Sequence, residues 1–332
     1  MKNVKKLVAL GVILSLGLSL SACGTKEESK DSKQEMDMVN VGILQFAEHG
    51  SLDNCRQGFL EGLKEEGFEE GKNLTVTYEN SQADTGIANQ IASQFASKDL
   101  DLVSGIATPA AQALYNTASK KNIPVVYTAV SDPVLTGLAK EDGKGIGGVT
   151  GTSDLLPLEE QVKMIRAFMP EAKHLGVLYS TSEKNSESSI ARLKEIAPKH
   201  GFELVEVGVN TASDIPQAVD NLLTKVDVIN NLTDNLVVNN LDVLLDKANK
   251  KNIPVFGSEV EQVKKGCVAA MNIDYGALGK QTGKMAARVL KGEDINTIPF
   301  ELIKDNTLVY NADVVKKFNM TLPQDMKGEA VH

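Results

Sequence analysis

The chain has no tryptophan among its 332 residues, only six tyrosines and nine phenylalanines, three cysteines and four histidines. So few aromatics leave little with which to stack on bases. A formal charge of -9, with no dense Lys/Arg run beyond the N-terminus, offers nothing to a phosphate backbone. Nucleic acid is therefore not expected as a partner. His49, His174, His200 and His332 show no metal-ligand spacing, so neither a metal nor a cofactor is expected. Cys55 and Cys267 lie far apart with no framework spacing and read as two buried free thiols. There is no Gly-x-Ser-x-Gly elbow, no Gly-x-x-x-x-Gly-Lys-Ser/Thr loop and no Gly-x-Gly-x-x-Gly after the first strand. The chain does not read as an enzyme, and 332 residues suit two domains.

What is present starts with the N-terminus. Lys2, Lys5 and Lys6 precede an apolar run from Leu7 to Leu20, which is shorter than the ~20 residues a comfortable membrane span needs. A basic start, a short apolar centre and small residues before a cut site describe an export signal over 1–22. Leu20-Ser21-Ala22-Cys23 resembles the lipobox of bacterial lipoproteins, which implies cleavage after Ala22, lipidation of Cys23 and anchoring to the membrane through lipid. Residues 23–38 are polar, of mixed charge and too poor in apolar surface to fold, so they read as a tether.

From Val39 onward short apolar strands alternate with amphipathic helices, which implies βαβ units and parallel sheets. The pattern restarts after residue 152. Lys-Asn-Ile-Pro-Val occurs at 121–125 and again at 251–255, each time where a helix ends and a strand begins. The reading is an α/β chain of two similar doubly wound lobes. Lobe 1 is expected over 39–152 plus about 275–300, and lobe 2 over 153–274 plus about 301–325.

Ligands of open parallel sheets bind beyond the carboxyl ends of the strands. Those ends supply Gln45, Leu52, Thr108, Pro109, Ala110, Ser131, Asp132, Ser153 and Asp154 in the first half, and Asp234, Asn235, Ser258 and Asp274 in the second. Thr108 suits an N-cap with Pro109 at the first helical position, which would turn the N–H groups of Ala110 and Ala111 toward a cleft. A helix N-terminus carries about half a positive charge and accepts a carboxylate without Lys or Arg. Thr108 could equally do no more than cap its own helix. Asp234 reads either as an N-cap or as an acceptor for an ammonium group. Phe46, Tyr127 and Phe256 lie near strand ends, either to pack on a ligand ring or to fill the core.

The segments "AEHGSLDNCRQGFLEGLKEEGF", "GIATPAAQALYN", "VSDPVLTGL", "GVTGTSD", "NLTDN" and "GCVAAMNIDYGALGKQTGKMAARVLKG", in this order and spacing, resemble the substrate-binding lipoproteins of ABC transporters, in the group that includes tryptophan and tyrosine binders. The family usually has His-Pro-Ala-Leu-Asp where this chain has His49-Gly50-Ser51-Leu52-Asp53. The resemblance implies two Rossmann-like lobes of the type I periplasmic-binding-protein kind with a ligand cleft between them. It further implies an aromatic amino acid ligand, a partner permease with a separate ATPase, and an extracytoplasmic site of action. It favours Thr108 and Ala110 as carboxylate donors and Asp234 as the ammonium partner, and adds Glu183 and Asn185 to the site. A monomer is expected. A sensing receptor with the same cleft, or a secreted hydrolase working with carboxylate pairs, are the alternatives.

Overall fold

A computed structural model of the chain describes residues 38–303, 307–323 and 327–331. The signal, Cys23 and all of the tether but its last residue lie outside the described residues.

The first half runs β1 (Val39–Gln45), α1 (Gly50–Glu65), β2 (Leu74–Asn80), α2 (Thr85–Phe95), β3 (Leu102–Ile106), α3 (Thr108–Ala118), β4 (Val125–Thr128) and β5 (Val149–Ser153). The second runs α4 (Leu158–Phe168), β6 (His174–Ser180), α5 (Lys184–Ile196), β7 (Glu203–Val209), α6 (Ile215–Leu222), β8 (Val228–Asn230), α7 (Asn235–Asn239), α8 (Leu241–Lys250), β9 (Val255–Phe256), α9 (Val260–Lys265) and β10 (Ala269–Asn272). The chain closes with α10 (Tyr275–Leu290), β11 (Glu301–Leu302), β12 (Thr307–Asn311), α11 (Ala312–Lys317) and β13 (Gly328–Val331).

Two parallel sheets result. The first has strand order β11-β5-β4-β3-β1-β2, and the second β7-β6-β8-β9. Counting from each sheet's own first strand, both are wound in the order 2-1-3-4, with the reversal between β1 and β3 in one and between β6 and β8 in the other. Strands β3, β4 and β5 are buried along their whole length, which is why they read as continuous apolar or small-residue runs rather than as alternation. The repeated Lys-Asn-Ile-Pro-Val marks equivalent turns. Asn122 and Asn252 both take left-handed backbone, at φ 57° and 56°, and strands β4 and β9 start one residue after the prolines. Asparagine tolerates that conformation better than most residues.

Several elements depart from the sequence reading. The stretch 235–250 is two helices, broken at Asn240. A short helix, α9, separates β9 from β10, which the sequence alone presents as two successive strands. Strand β10 leaves the parallel pattern and pairs antiparallel with β12, which carries β13 on its other edge. Strand β11 pairs with β5 in the first sheet, so the chain returns to the second half after Leu302, slightly later than expected.

Helix α10 packs on α1 through glycines. A Cβ on Gly58 would meet the carbonyl oxygen of Gly276 at 2.1 Å, and one on Gly279 would meet the carbonyl oxygen of Cys55 at 2.1 Å. Only glycine lets the two backbones approach so closely. The second-half strand β10 is thereby followed by a helix fastened to the first half. Cys55 and Cys267 are both buried and free.

Candidate functional site

The carboxyl ends of β1, β3, β4 and β5 face those of β6, β8 and β9 across a cavity with about 330 Å³ of empty space. The surrounding side chains leave free room in it for little more than a water molecule. The first half contributes His49, Ser51, Leu52, Ala107, Thr108, Ala129, Ser131 and Asp154. The second contributes Asn185, Thr233, Asn235, Val238, Glu259 and Gln262, with Tyr275 from α10. The cavity thus lies where both sheets reverse their winding order, the place where doubly wound sheets hold ligands.

The start of α3 differs by one residue from expectation. The N-cap is Ala107, not Thr108; its backbone, at φ 77° and ψ 156°, lies in a region that only glycine enters freely, and it offers no side-chain cap. Ala129, at the matching place after β4, has φ 58°. Such alanines cost roughly 1–3 kcal/mol each, and persist only where the surroundings over-determine them. Thr108 then becomes the first helical residue, followed by Pro109, and the backbone N–H groups of Thr108 and Ala110 find no acceptor among the described residues. Ala111 N–H is not free, because it donates to the Ala107 carbonyl. The buried Thr108 Oγ1 also has no partner among the described residues. Two N–H groups and a hydroxyl at the helix start are therefore unsatisfied among the described residues beside the cavity, which is costly unless a ligand or water pairs with them.

Carboxylates occupy other parts of the wall. Asp154 accepts from Ser131 Oγ at 3.0 Å and from Tyr275 Oη at 2.7 Å. Burial raises its pKa, while those two donors oppose the rise. Glu259 caps α9 by accepting from the N–H groups of Glu261 and Gln262, and burial pushes it up to about 7. Two acids whose charged forms are penalised by burial are poised to accept a cation that offsets the penalty.

Asp234 is placed otherwise than the sequence reading expected. It does not line the cavity. Its Oδ1 accepts from Val237 N–H at 2.9 Å, capping α7, and its Oδ2 accepts from Ser180 N–H at 2.7 Å and Ser186 Oγ at 2.6 Å. The side chain is fully buried and engaged, so the N-cap alternative describes it. Glu183 is likewise behind the wall, accepting from Asn235 and Leu236 N–H and from the side-chain amides of Asn185 and Asn235.

Of the remaining candidates, Leu52, Thr108, Ser131, Asp154, Asn185 and Asn235 line the cavity. Pro109 and Ala110 lie in the first turn of α3, with Ala110 buried. Gln45 is one layer deeper, donating to the Ala47 carbonyl and to Asp53. Asp132 links the halves outside the cavity by accepting from Ser188 Oγ at 3.2 Å. Ser153 donates to the Ser131 carbonyl, Ser258 donates to the Asn231 carbonyl, and Asp274 caps α10 through Ala277 N–H. Phe46, Tyr127 and Phe256 are core residues and absent from the lining.

Sequence reasoning passed over His49, Ser51, Ala107, Ala129, Thr233, Val238, Glu259, Gln262 and Tyr275 as lining residues. Glu259 and Tyr275 each lie within a few residues of a strand's end and could have been found by the strand-end rule. Alanines in left-handed backbone leave no mark in a sequence. His49 Nε2 meets Asn235 Oδ1 at 3.2 Å, bridging the halves, while its Nδ1 is buried without a partner among the described residues. Burial lowers the His49 pKa to about 4, so the ring is neutral.

The family described as ABC transporter substrate binding protein matches residues 40–332. A tyrosine-binding protein of Clostridioides difficile is 37% identical over 322 residues, 95% of this chain and 93% of that one. Among solved structures, an ABC domain from Streptococcus pneumonia in complex with L-Trp is 32% identical, covers 89% of this chain and 100% of its own, and superposes with a TM-score of 0.85. The ligand-free, open structure of a substrate-binding protein with adhesive properties from Clostridium difficile is 38% identical over 89% of this chain and 99% of its own, with a TM-score of 0.66. A match across nearly all of the described residues, on a chain whose two halves enclose a cavity at both switch points, leads to one conclusion: the chain belongs to the ABC transporter substrate-binding protein family.

Proposed function

We propose that the cavity binds a free aromatic α-amino acid as its zwitterion, and that the protein carries it to an ABC permease from the extracytoplasmic face of the membrane. The observation that carries this reading is the opposition of unsatisfied N–H groups at the start of α3 to the buried carboxylates Asp154 and Glu259 in one small cavity. In this reading the α-carboxylate sits on Thr108 and Ala110 N–H, and the ammonium lies against Asp154 with Glu259 near it. Charge-assisted hydrogen bonds of this kind stabilise by roughly 1.5–3 kcal/mol each. The apolar remainder of the ligand then lies among Leu52, Ala107, Ala129 and Val238.

The comparisons support the ligand class, since one relative is a tyrosine-binding protein and another holds L-Trp. They also support reading the present arrangement as the closed form. The chain superposes far better on the L-Trp complex than on the open, ligand-free relative, although the latter is more similar in sequence. Lobe 1 would comprise 39–152 and about 275–303, lobe 2 the rest, working as a monomer tethered by lipid on Cys23. Among the described residues no helix is long and apolar enough to cross a membrane.

A thermal-shift screen of the mature protein against the twenty amino acids, simple sugars and short peptides tests the proposal. An aromatic amino acid should stabilise the fold by about 2.7 kcal/mol at a hundredfold excess over Kd. A response to sugars or peptides alone would sink it.

A further inference from the structure

Glu183 touches no part of the cavity, yet it sets the polarity of one wall. Its side chain is 1% exposed. Glu183 Oε2 accepts from Asn185 Nδ2 at 3.1 Å and from Asn235 Nδ2 at 2.5 Å. Asn185 Nδ2 also donates to the Thr233 carbonyl at 3.2 Å, so both of its hydrogens are bound to acceptors. Burial and the neighbouring Asp234 push Glu183 up to about 8, but the oxygen that both amides face, Oε2, also accepts from Asn235 N–H and so is an acceptor there: turning either amide over would set a carbonyl oxygen against it. The two amides are therefore fixed, and each must present its oxygen on the opposite side.

The consequences run into the cavity. Asn185, 3% exposed, lines it, and its Oδ1 is buried with no partner among the described residues. Asn235 Oδ1 meets His49 Nε2, and an amide oxygen can only accept, so the histidine must carry its proton on Nε2. His49 Nδ1 is then a bare lone pair, also buried and unpartnered, on a second lining residue. One carboxyl group thus makes one lining side chain from each half into an acceptor with no donor among the described residues.

We infer that Glu183 is a positioning residue for ligand selectivity: through Asn185, Asn235 and His49 it builds an acceptor-only wall that takes the side-chain N–H or O–H of the bound amino acid. The inference rests on the amino-acid reading above, in which Asp154 and Glu259 take the ammonium. Indole N–H and phenol O–H supply the required donor, and a phenyl ring does not. Without a donor, two buried acceptors stay unpaired. Sites built to hydrogen-bond a substrate group discriminate strongly against analogues that lack it. The ligands are therefore L-tyrosine and L-tryptophan rather than L-phenylalanine.

Calorimetry with the mature wild-type protein and these three amino acids tests this. L-phenylalanine should bind at least ~100-fold more weakly than the better of the other two. In Glu183→Met both amides lose their shared acceptor and are free to turn over, so the ratio should fall at least tenfold. Asn185→Leu, which deletes one cavity acceptor and only one of the donors to Glu183, should lower the ratio as well, and serves if Glu183→Met fails to fold. Nitrogen-15 spectra of labelled histidine should report the Nε2–H form of His49 in wild type and a mixture in Glu183→Met, a change that lost packing alone would not produce. Equal binding of all three amino acids by wild type overturns the inference and leaves the amino-acid reading standing. So does an equal loss for all three in both variants. Binding of none of them overturns both.

Discussion

The contact between α1 and α10 allows a sharp test of how packing sustains the site. A Cβ added to Gly279 would lie 2.1 Å from the carbonyl oxygen of Cys55, where ordinary contact begins at 3.4 Å. The helices must therefore part locally by about 1.3 Å, the difference of those two distances. Neighbouring glycines cannot yield, because added Cβ atoms on Gly62 and Gly283 would lie 2.3 Å and 2.2 Å from backbone oxygens. Overpacking costs typically 1–3 kcal/mol, and the upper end applies when the obstacle is backbone. Alanine recovers about 1 kcal/mol of helix propensity. Gly279→Ala should therefore lose about 2 kcal/mol, lowering the melting temperature by roughly 3 °C for a chain of this size. Ligand affinity should fall with it, since His49, Ser51 and Leu52 lie at the start of α1 and Tyr275 begins α10. Gly276→Ala is the internal control on the same helix. Its Cβ would meet only the Asp274 side-chain oxygen, at 3.3 Å, so stability should stay level or rise by up to ~1 kcal/mol. Calorimetric melting of the three proteins decides the matter. A Gly279→Ala protein melting at or above wild type would refute the argument that these helices touch through their backbones.

Three further outcomes follow from the site. Ala110→Pro keeps a residue tolerated in a first helical turn but deletes one N–H beside the cavity, and should weaken amino-acid binding by about ten- to a hundredfold in calorimetry with little change in circular dichroism. Asp154→Asn should cost at least tenfold in affinity for the amino acid, yet leave affinity for the corresponding des-amino acid nearly unchanged, because only the former carries the ammonium. The His49 pKa is depressed from 6.5 to about 4 by burial, with Asp53 and Lys265 acting in opposite directions. Between those values the unfolded chain holds a proton that the folded chain refuses, so His49 makes stability fall as pH falls from about 6.5 to 4. The contribution is about 3 kcal/mol. Glu259, raised to about 7 from 4.5, slopes the other way, with stability falling as pH rises between those values. The His49 part is isolated by denaturant melts of wild type and His49→Gln: the stability of the variant relative to wild type should rise as the pH drops from 7 to 4.

Much of this architecture was legible in the sequence because parallel strands buried on both faces leave continuous apolar runs between amphipathic helices. The doubled Lys-Asn-Ile-Pro-Val turn announced two halves of like design, and both turns prove to use left-handed asparagine. The antiparallel trio of β10, β12 and β13 was not legible, since a short strand carries no mark of its partner's direction. Within the site, the strand-end rule found Leu52, Thr108, Ser131, Asp154 and Asn235, and the family resemblance added Asn185. The rule erred by one residue at the α3 cap, where backbone strain at Ala107 replaced the side-chain cap that a Thr-Pro pair suggests. It left Asp234 open between cap and ammonium partner, and the resemblance favoured the latter, because an acid between strand and helix looks the same whether it faces a ligand or closes a helix. What separated the two was the set of donors from β6 and α5, Ser180 and Ser186, which are about fifty residues away in the chain.

The most direct measurement is a crystal structure of the mature protein grown with L-tyrosine or L-tryptophan. The carboxylate of the ligand should lie about 2.7–3.2 Å from the N–H nitrogens of Thr108 and Ala110, with its ammonium against Asp154. A ligand bound in the reverse sense, or lodged outside the cavity between the two sheets, would contradict the account.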